Sequence, residues 1–195
     1  MIKNVIFDIG NVLVDFHPIP YFQALLPNSD MNKICPLIFD AVWEKIDEGL
    51  YTCEQAKIKH LEKNPQYHME IEFIYDHWKE MMVLNEEVYT YLMECRQHQY
   101  KVFLLSNIGF ESHQYLSERY SFFDDADGAV LSYRYHCLKP DLRIYNILLK
   151  QYRLTASECV FFDDHEANIQ SANILGIKGI RFDDFLQAKK EADLW

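Results

Sequence analysis

Basic side chains are in short supply: 19 Lys and Arg stand against 30 Asp and Glu, giving a formal net charge of -11 and a pI near 5.1. A surface that grips nucleic acid needs a basic field, so phosphate backbones are excluded as partners and a small molecule is expected instead. Paired cysteines are lacking as well. Cys35, Cys53, Cys95, Cys137 and Cys159 are odd in number and scattered, with no CxxC pair to hold zinc or exchange disulfides. They read as buried thiols of a reducing compartment. No basic segment leads into an apolar stretch near Met1, and no long apolar run occurs elsewhere. Neither an export signal nor a membrane span is therefore expected, and the expected location is the cytoplasm. No stretch is rich enough in Gly or Ser to separate independent domains, and there are no internal repeats or low-complexity segments.

What the chain does have is apolar content. With 49% hydrophobic and 15% aromatic residues over 195 positions, it can bury a full core in one domain, or in one domain with a small insert. Short runs rich in Val, Ile and Phe recur with helical patterns between them: "KNVIF", "KVFLLS", "GAVLS", "CVFFDD" and "IKGIRF". That alternation predicts an α/β fold, a doubly wound, Rossmann-like parallel sheet with crossover helices. The interval between the first two runs carries only helical signals. Ile34, Leu37, Ile38, Ala41 and Val42 fall on one helical face, as do Ile71, Ile74, Tyr75, Trp78 and Met82. "TCEQ" at residues 52–55 has capping-box spacing, and Asn85 before two glutamates starts another helix. Residues 16–84 are thus expected to form a small all-helical insert after the first strand, with residues 1–15 and 85–195 forming the core.

In an open parallel sheet, ligands bind outside the carboxyl ends of the strands. The polar groups expected there are Asp8, Ser106 with Asn107, Lys139, and Asp163 with Asp164. Several carboxylates in a low-dielectric cleft cannot all ionise unless a cation sits among them, and magnesium (Mg2+) suits hard oxygen ligands. Asp8 and Asp164 are the candidate carboxylate ligands, with Asp163 holding a metal-bound water or orienting Lys139. One oxygen of Asp8 is then free to attack phosphorus and form an aspartyl-phosphate. Ser106, Asn107 and Lys139 would hold the equatorial phosphate oxygens, and the helix that "SNIGF" leads into would add its N-terminal amides.

A strand ending in an aspartate, a strand ending in Ser, a lysine and a strand ending in paired acids follow one another in that order. "LKPDLRIYNILLKQYRLTASECVFFDDHEANI" carries the last two continuously. In these motifs the chain resembles the haloacid dehalogenase-like hydrolase superfamily. The resemblance implies a phosphoric monoester hydrolase with a mobile helical cap over the site, hinged near residues 15–18 and 83–86. It also implies a small phosphorylated metabolite as partner, with no nucleic acid and no membrane. "FDIGNVLVD" is most similar to the branch that includes phosphatases of alpha-glucose 1-phosphate and is related to the phosphatase domain fused to epoxide hydrolases.

One position departs from the family pattern. Where the motif usually has a second aspartate, this chain has Gly10. The usual residue offers its carbonyl to the metal and its side chain as general acid; Gly10 keeps only the carbonyl, as a third protein ligand beside Asp8 and Asp164. A missing general acid typically costs about 100- to 10,000-fold. An anomeric hydroxyl leaves more readily than an ordinary alcohol, so a sugar 1-phosphate is the expected substrate. Asp15 and His17 are the expected substitute acids, with Asn11 orienting a water and His165 a further histidine near the site. Two other readings accommodate Gly10: a metal-free 2-haloacid dehalogenase, whose halide needs no proton, and a weakly active binding or regulatory member.

Overall fold

The computed structural model describes residues 1–195. Five parallel strands form one sheet: β1 (Asn4–Phe7), β2 (Lys101–Ser106), β3 (Gly128–Leu131), β4 (Cys159–Asp163) and β5 (Lys178–Arg181). Their order across the sheet is β3-β2-β1-β4-β5. All five are the apolar runs anticipated from sequence. The chain adds β2 and β3 on one side of β1 and β4 and β5 on the other, so the strand order reverses at β1 and the crevice beyond the carboxyl ends of β1, β2 and β4 is the topological switch point.

Side chains alternate between two buried faces, as a sheet covered on both sides requires. Val5, Phe7, Val102, Leu104, Val160 and Phe162 enter one apolar cluster. Ile6, Phe103, Leu105 and Phe161 enter the other. Phe7 stacks on Phe162 across the strand pair at a centroid separation of 5.2 Å. The connections are α6 (Glu86–Gln97), α7 (Phe110–Arg119), α8 (Phe122–Asp125), α9 (Ser132–Tyr135), α10 (Leu142–Gln151) and α11 (Glu166–Ile174), with α12 (Phe185–Ala192) last. Asn85 caps α6 through its side chain, which accepts from the Val88 N–H.

Between β1 and β2 lie α1 (Pro18–Leu25), α2 (Met31–Ile38), α3 (Ala41–Asp47), α4 (Cys53–Lys63) and α5 (His68–His77). Thr52 and Gln55 form the anticipated capping box on α4. The single helical face expected from Ile34 to Val42 is instead divided. Helix α2 ends at Ile38, and Asp40 starts α3 by accepting from the Val42 N–H. The buried residues of the two helices are accordingly Met31, Ile34, Cys35 and Ile38, then Trp43 and Ile46, while Ala41 is exposed. The Ile71–Met82 face divides in the same way, α5 giving way to a 3-10 turn at Trp78–Met81. Where the chain enters and leaves this helical segment, its two crossings pair: Asp15 N–H donates to Val83 and Asn85 N–H to Leu13, each at 2.8 Å. No helix is long and apolar enough to cross a membrane.

Candidate active site

The end of β1 delivers Asp8 into the switch-point crevice at 6% exposure. Its Oδ1 accepts from the Ile9 N–H, and the Lys139 Nζ lies 2.8 Å from the same oxygen. That ammonium also donates to Asp163 Oδ2 at 2.6 Å. Lys139 is only 4% exposed and Asp163 not at all, so this is a buried charge cluster that only near-complete satisfaction can sustain. Asp163 is accordingly saturated: Asn168 donates to both of its oxygens at 2.9 and 3.0 Å, and the His165 N–H to Oδ1 at 2.8 Å.

Asn107, one residue past β2, has a different task from the one its position suggests. Its side-chain amide donates to the Lys139 carbonyl at 2.9 Å and accepts from the Lys139 N–H at 2.7 Å. The side chain therefore clamps the lysine's main chain, leaving the Asn107 backbone amide as the group that could meet phosphate. Ser106, at the end of β2, is buried with its side chain lining the crevice. Asn11 does not sit free to orient a water. It donates to Asp164 Oδ2 at 3.1 Å and accepts from the Phe16 N–H at 3.0 Å.

Carboxylate oxygens of Asp8, Asp163 and Asp164 come within 4.8 Å of one another. One ammonium faces three carboxylates. Burial pushes Asp8 up to about 7; Lys139 works against this, and the charges of Asp163 and Asp164 add to it. Burial works against the Lys139 ammonium too, but Asp163 and Asp8 outweigh it and hold its pKa above the usual lysine range. A divalent cation among Asp8 and Asp164 would relieve the excess negative charge, so the donor set fits magnesium.

These groups open onto one cavity of about 290 Å³, which Asp8, Gly10, Ser106, Asn107, Lys139 and Asp164 all line. Asp163 lies behind them. Asp15 and His17 do not reach it; both are exposed on the linker, so neither takes the place of an acid at position 10. His165 reaches the rim, with Nε2 3.8 Å from Asp164 Oδ2. The helical insert contributes an aromatic wall, Phe39 packing between Phe16 and Trp43, and one ionisable side chain, Asp47 at the end of α3. Sequence reasoning missed Asp47 and Asn168. A signal for Asp47 was present: a carboxylate in the last turn of a helix faces the negative end of the dipole, an unfavourable placement that invites another explanation.

The chain belongs to the haloacid dehalogenase-like hydrolases, whose family model matches residues 2–176. It is similar to a sesquiterpene phosphatase of Aspergillus oryzae, 27% identical over 194 residues, covering 94% of this chain and 91% of that protein. It also resembles a D-ribitol-5-phosphate phosphatase of Bacteroides thetaiotaomicron, 27% identical, with 91% and 90% covered. Among solved structures, a HAD family enzyme of Bacteroides thetaiotaomicron in complex with magnesium and inorganic phosphate superposes with a TM-score of 0.74. It is 21% identical and covers 95% of this chain and 98% of its own. The L-2-haloacid dehalogenase of Xanthobacter autotrophicus shares the fold at a TM-score of 0.69 and 16% identity, over 93% and 77%.

Proposed function

We propose that the protein is a magnesium-dependent phosphatase of a small phosphorylated metabolite, acting through an aspartyl-phosphate on Asp8. The observation that carries this reading is the placement of Asp8 between Lys139 and Asp164 at the floor of the cavity. Lys139 holds one Asp8 oxygen and fixes the carboxylate's orientation, so the attacking atom needs no search for its line of approach. Asp8, Asp164 and the Gly10 carbonyl would hold Mg2+, which supplies charge neutralisation of the phosphate. Ser106, the Asn107 backbone and Lys139 receive the equatorial oxygens, where charge concentrates in phosphoryl transfer.

The two relatives described above are phosphatases by name, which supports this class over a haloacid dehalogenase despite the shared fold. The third carboxylate, Asp164, also has no task in a metal-free displacement at carbon. A sugar phosphate remains a suitable substrate. The narrower expectation of a sugar 1-phosphate rested on the want of an acid at Gly10 and on the resemblance of "FDIGNVLVD" to one branch of the family; Asp47 in the cavity weakens the first of these grounds. Residues 16–84 are read as a lid over the core of 1–15 and 85–195, turning about the paired crossings at 15–18 and 83–86 so that substrate enters and water is then excluded.

The test is phosphate release from a panel of phosphomonoesters with and without magnesium, using the wild type and Asp8→Asn. Release should require the metal. Asp8→Asn should lose at least about a thousandfold while keeping the wild-type circular dichroism spectrum. Turnover after exhaustive chelation, or more than about a tenth of wild-type activity in the variant, would overturn the reading.

A further inference from the structure

In an in-line displacement the leaving oxygen lies on the side of phosphorus away from the nucleophile. With Asp8 on the floor of the cavity, that side is the one roofed by the helical insert. The residues of the insert that line the cavity are Phe16, Phe39, Trp43, Asp47 and Met82, and of these only Asp47 can give up a proton.

Asp47 is anchored to the core rather than merely near it. The Ser132 hydroxyl, fully buried, accepts from the Ile108 N–H at 2.8 Å and donates to the Asp47 carbonyl. His136 donates through Nδ1 to the neighbouring Glu48 carbonyl at 2.9 Å. Gly49, at φ +74, lies so close to the Tyr133 backbone that a Cβ there would overlap it. Gly109 allows an equally close approach, since a Cβ on it would strike Ile46. The end of α3 is thus docked against the loop after β2 and against α9 after β3, which fixes where the carboxyl sits.

We propose that Asp47, reaching the cavity from the insert, is the proton donor to the leaving alcohol and replaces the carboxylate that Gly10 lacks. The proposal rests on Asp8 being the nucleophile. In the first half-reaction an Asp8 oxygen forms a bond to phosphorus as the bond to the ester oxygen breaks, and that oxygen takes the Asp47 proton to leave as the neutral alcohol. In the second, a water oxygen forms a bond to phosphorus as the bond from phosphorus to the Asp8 oxygen breaks, and the water gives a proton to the Asp47 carboxylate, so that phosphate leaves and both side chains return to their starting forms.

The surroundings keep the proton available. Burial pushes the Asp47 carboxyl up to about 7; the Gly109 N–H opposes this, and the negative charges of Glu44 on the same helix and Asp8 on the floor add to it. Cys53, on the next helix, also lies within its field. The protonated form holds below that value, so turnover limited by leaving-group departure declines as pH rises through it.

The experiment compares kcat/KM for propyl phosphate and p-nitrophenyl phosphate in the wild type, Asp47→Asn, and Asp47→Asn combined with Gly10→Asp. Asp47→Asn should lower propyl phosphate turnover about 100- to 10,000-fold, lower p-nitrophenyl phosphate less than about tenfold, and abolish the decline at high pH. A Cβ at Gly10 would meet nothing within 4 Å, and its φ is not positive, so the backbone there admits a side chain. The double variant should regain at least about tenfold on propyl phosphate, a rescue that no loss of folding would show. An equal fall on both esters, or an unchanged rate on propyl phosphate, would overturn the assignment of Asp47. Wild-type turnover of p-nitrophenyl phosphate by Asp8→Asn would instead overturn the nucleophile on which it rests.

Discussion

The floor and the roof of the cavity are built on different principles. On the floor, Asp8, Lys139 and Asp163 hold one another at 2.6–2.8 Å from three segments of the sheet's carboxyl edge, and Asn107 and Asn168 hold them in turn. The roof has an aromatic wall and a single carboxyl, joined to the core by main-chain contacts at Asp47, Glu48 and Gly49. Preorganised charge does the same work on any phosphate ester, so the floor can be rigid. The leaving group differs from substrate to substrate, and a separate roof lets that side vary without disturbing the nucleophile.

The largest way to break this contrast is to strike the floor. Lys139→Met leaves two buried carboxylates without their cation and should cost about 3–5 kcal/mol of stability, measured by urea denaturation without added metal. A loss below about 1 kcal/mol would mean that the cluster simply takes up a proton and does not depend on the lysine. Asn107→Ala removes two hydrogen bonds to the Lys139 main chain and should cost about 1–3 kcal/mol. It should lower kcat for all esters alike, since it acts through the lysine; a change confined to KM would assign the side chain to substrate binding instead. The smallest effect belongs to the roof. Gly49→Ala strains a left-handed backbone against Tyr133 and should cost about 1–2 kcal/mol, falling on the docking of α3. Its signature is a loss of propyl phosphate turnover with p-nitrophenyl phosphate nearly spared, and equal losses on both would erase the distinction between floor and roof.

The floor was largely readable because Asp8, Ser106, Asn107, Asp163 and Asp164 stand at the ends of strands with their own apolar signatures. "VIFD", "FLLSN" and "VFFDD" announce both the strand and the group it delivers. Lys139 had no strand to announce it, and it was found through the motif order. The roof was harder for a physical reason. Asp47 reaches the site only because α3 docks on loops more than 60 residues later in the chain, and no local periodicity records a contact of that range. The break between α2 and α3 hid it further: a single apolar face drawn from Ile34 to Val42 ignores Asp40, whose cap turns the chain and aims α3 at the cavity. The reciprocal bonds of Asn107 were likewise invisible, since an amide after a strand suits a ligand and a clamp equally well.

Asn11 has a role larger than its size. It holds a left-handed backbone at φ +54, which Asn tolerates better than most residues, and it joins Asp164 to the main chain of Phe16 where the chain departs for the insert. The carboxylate that would receive the cation and the first residue of the helical insert thus share one side chain. Linkage makes such a connection reciprocal. Any posture of the insert that draws Phe16 and Asn11 together readies Asp164 for its cation. If the insert moves as proposed, a cation settling there would in turn bias it toward that posture before substrate arrives.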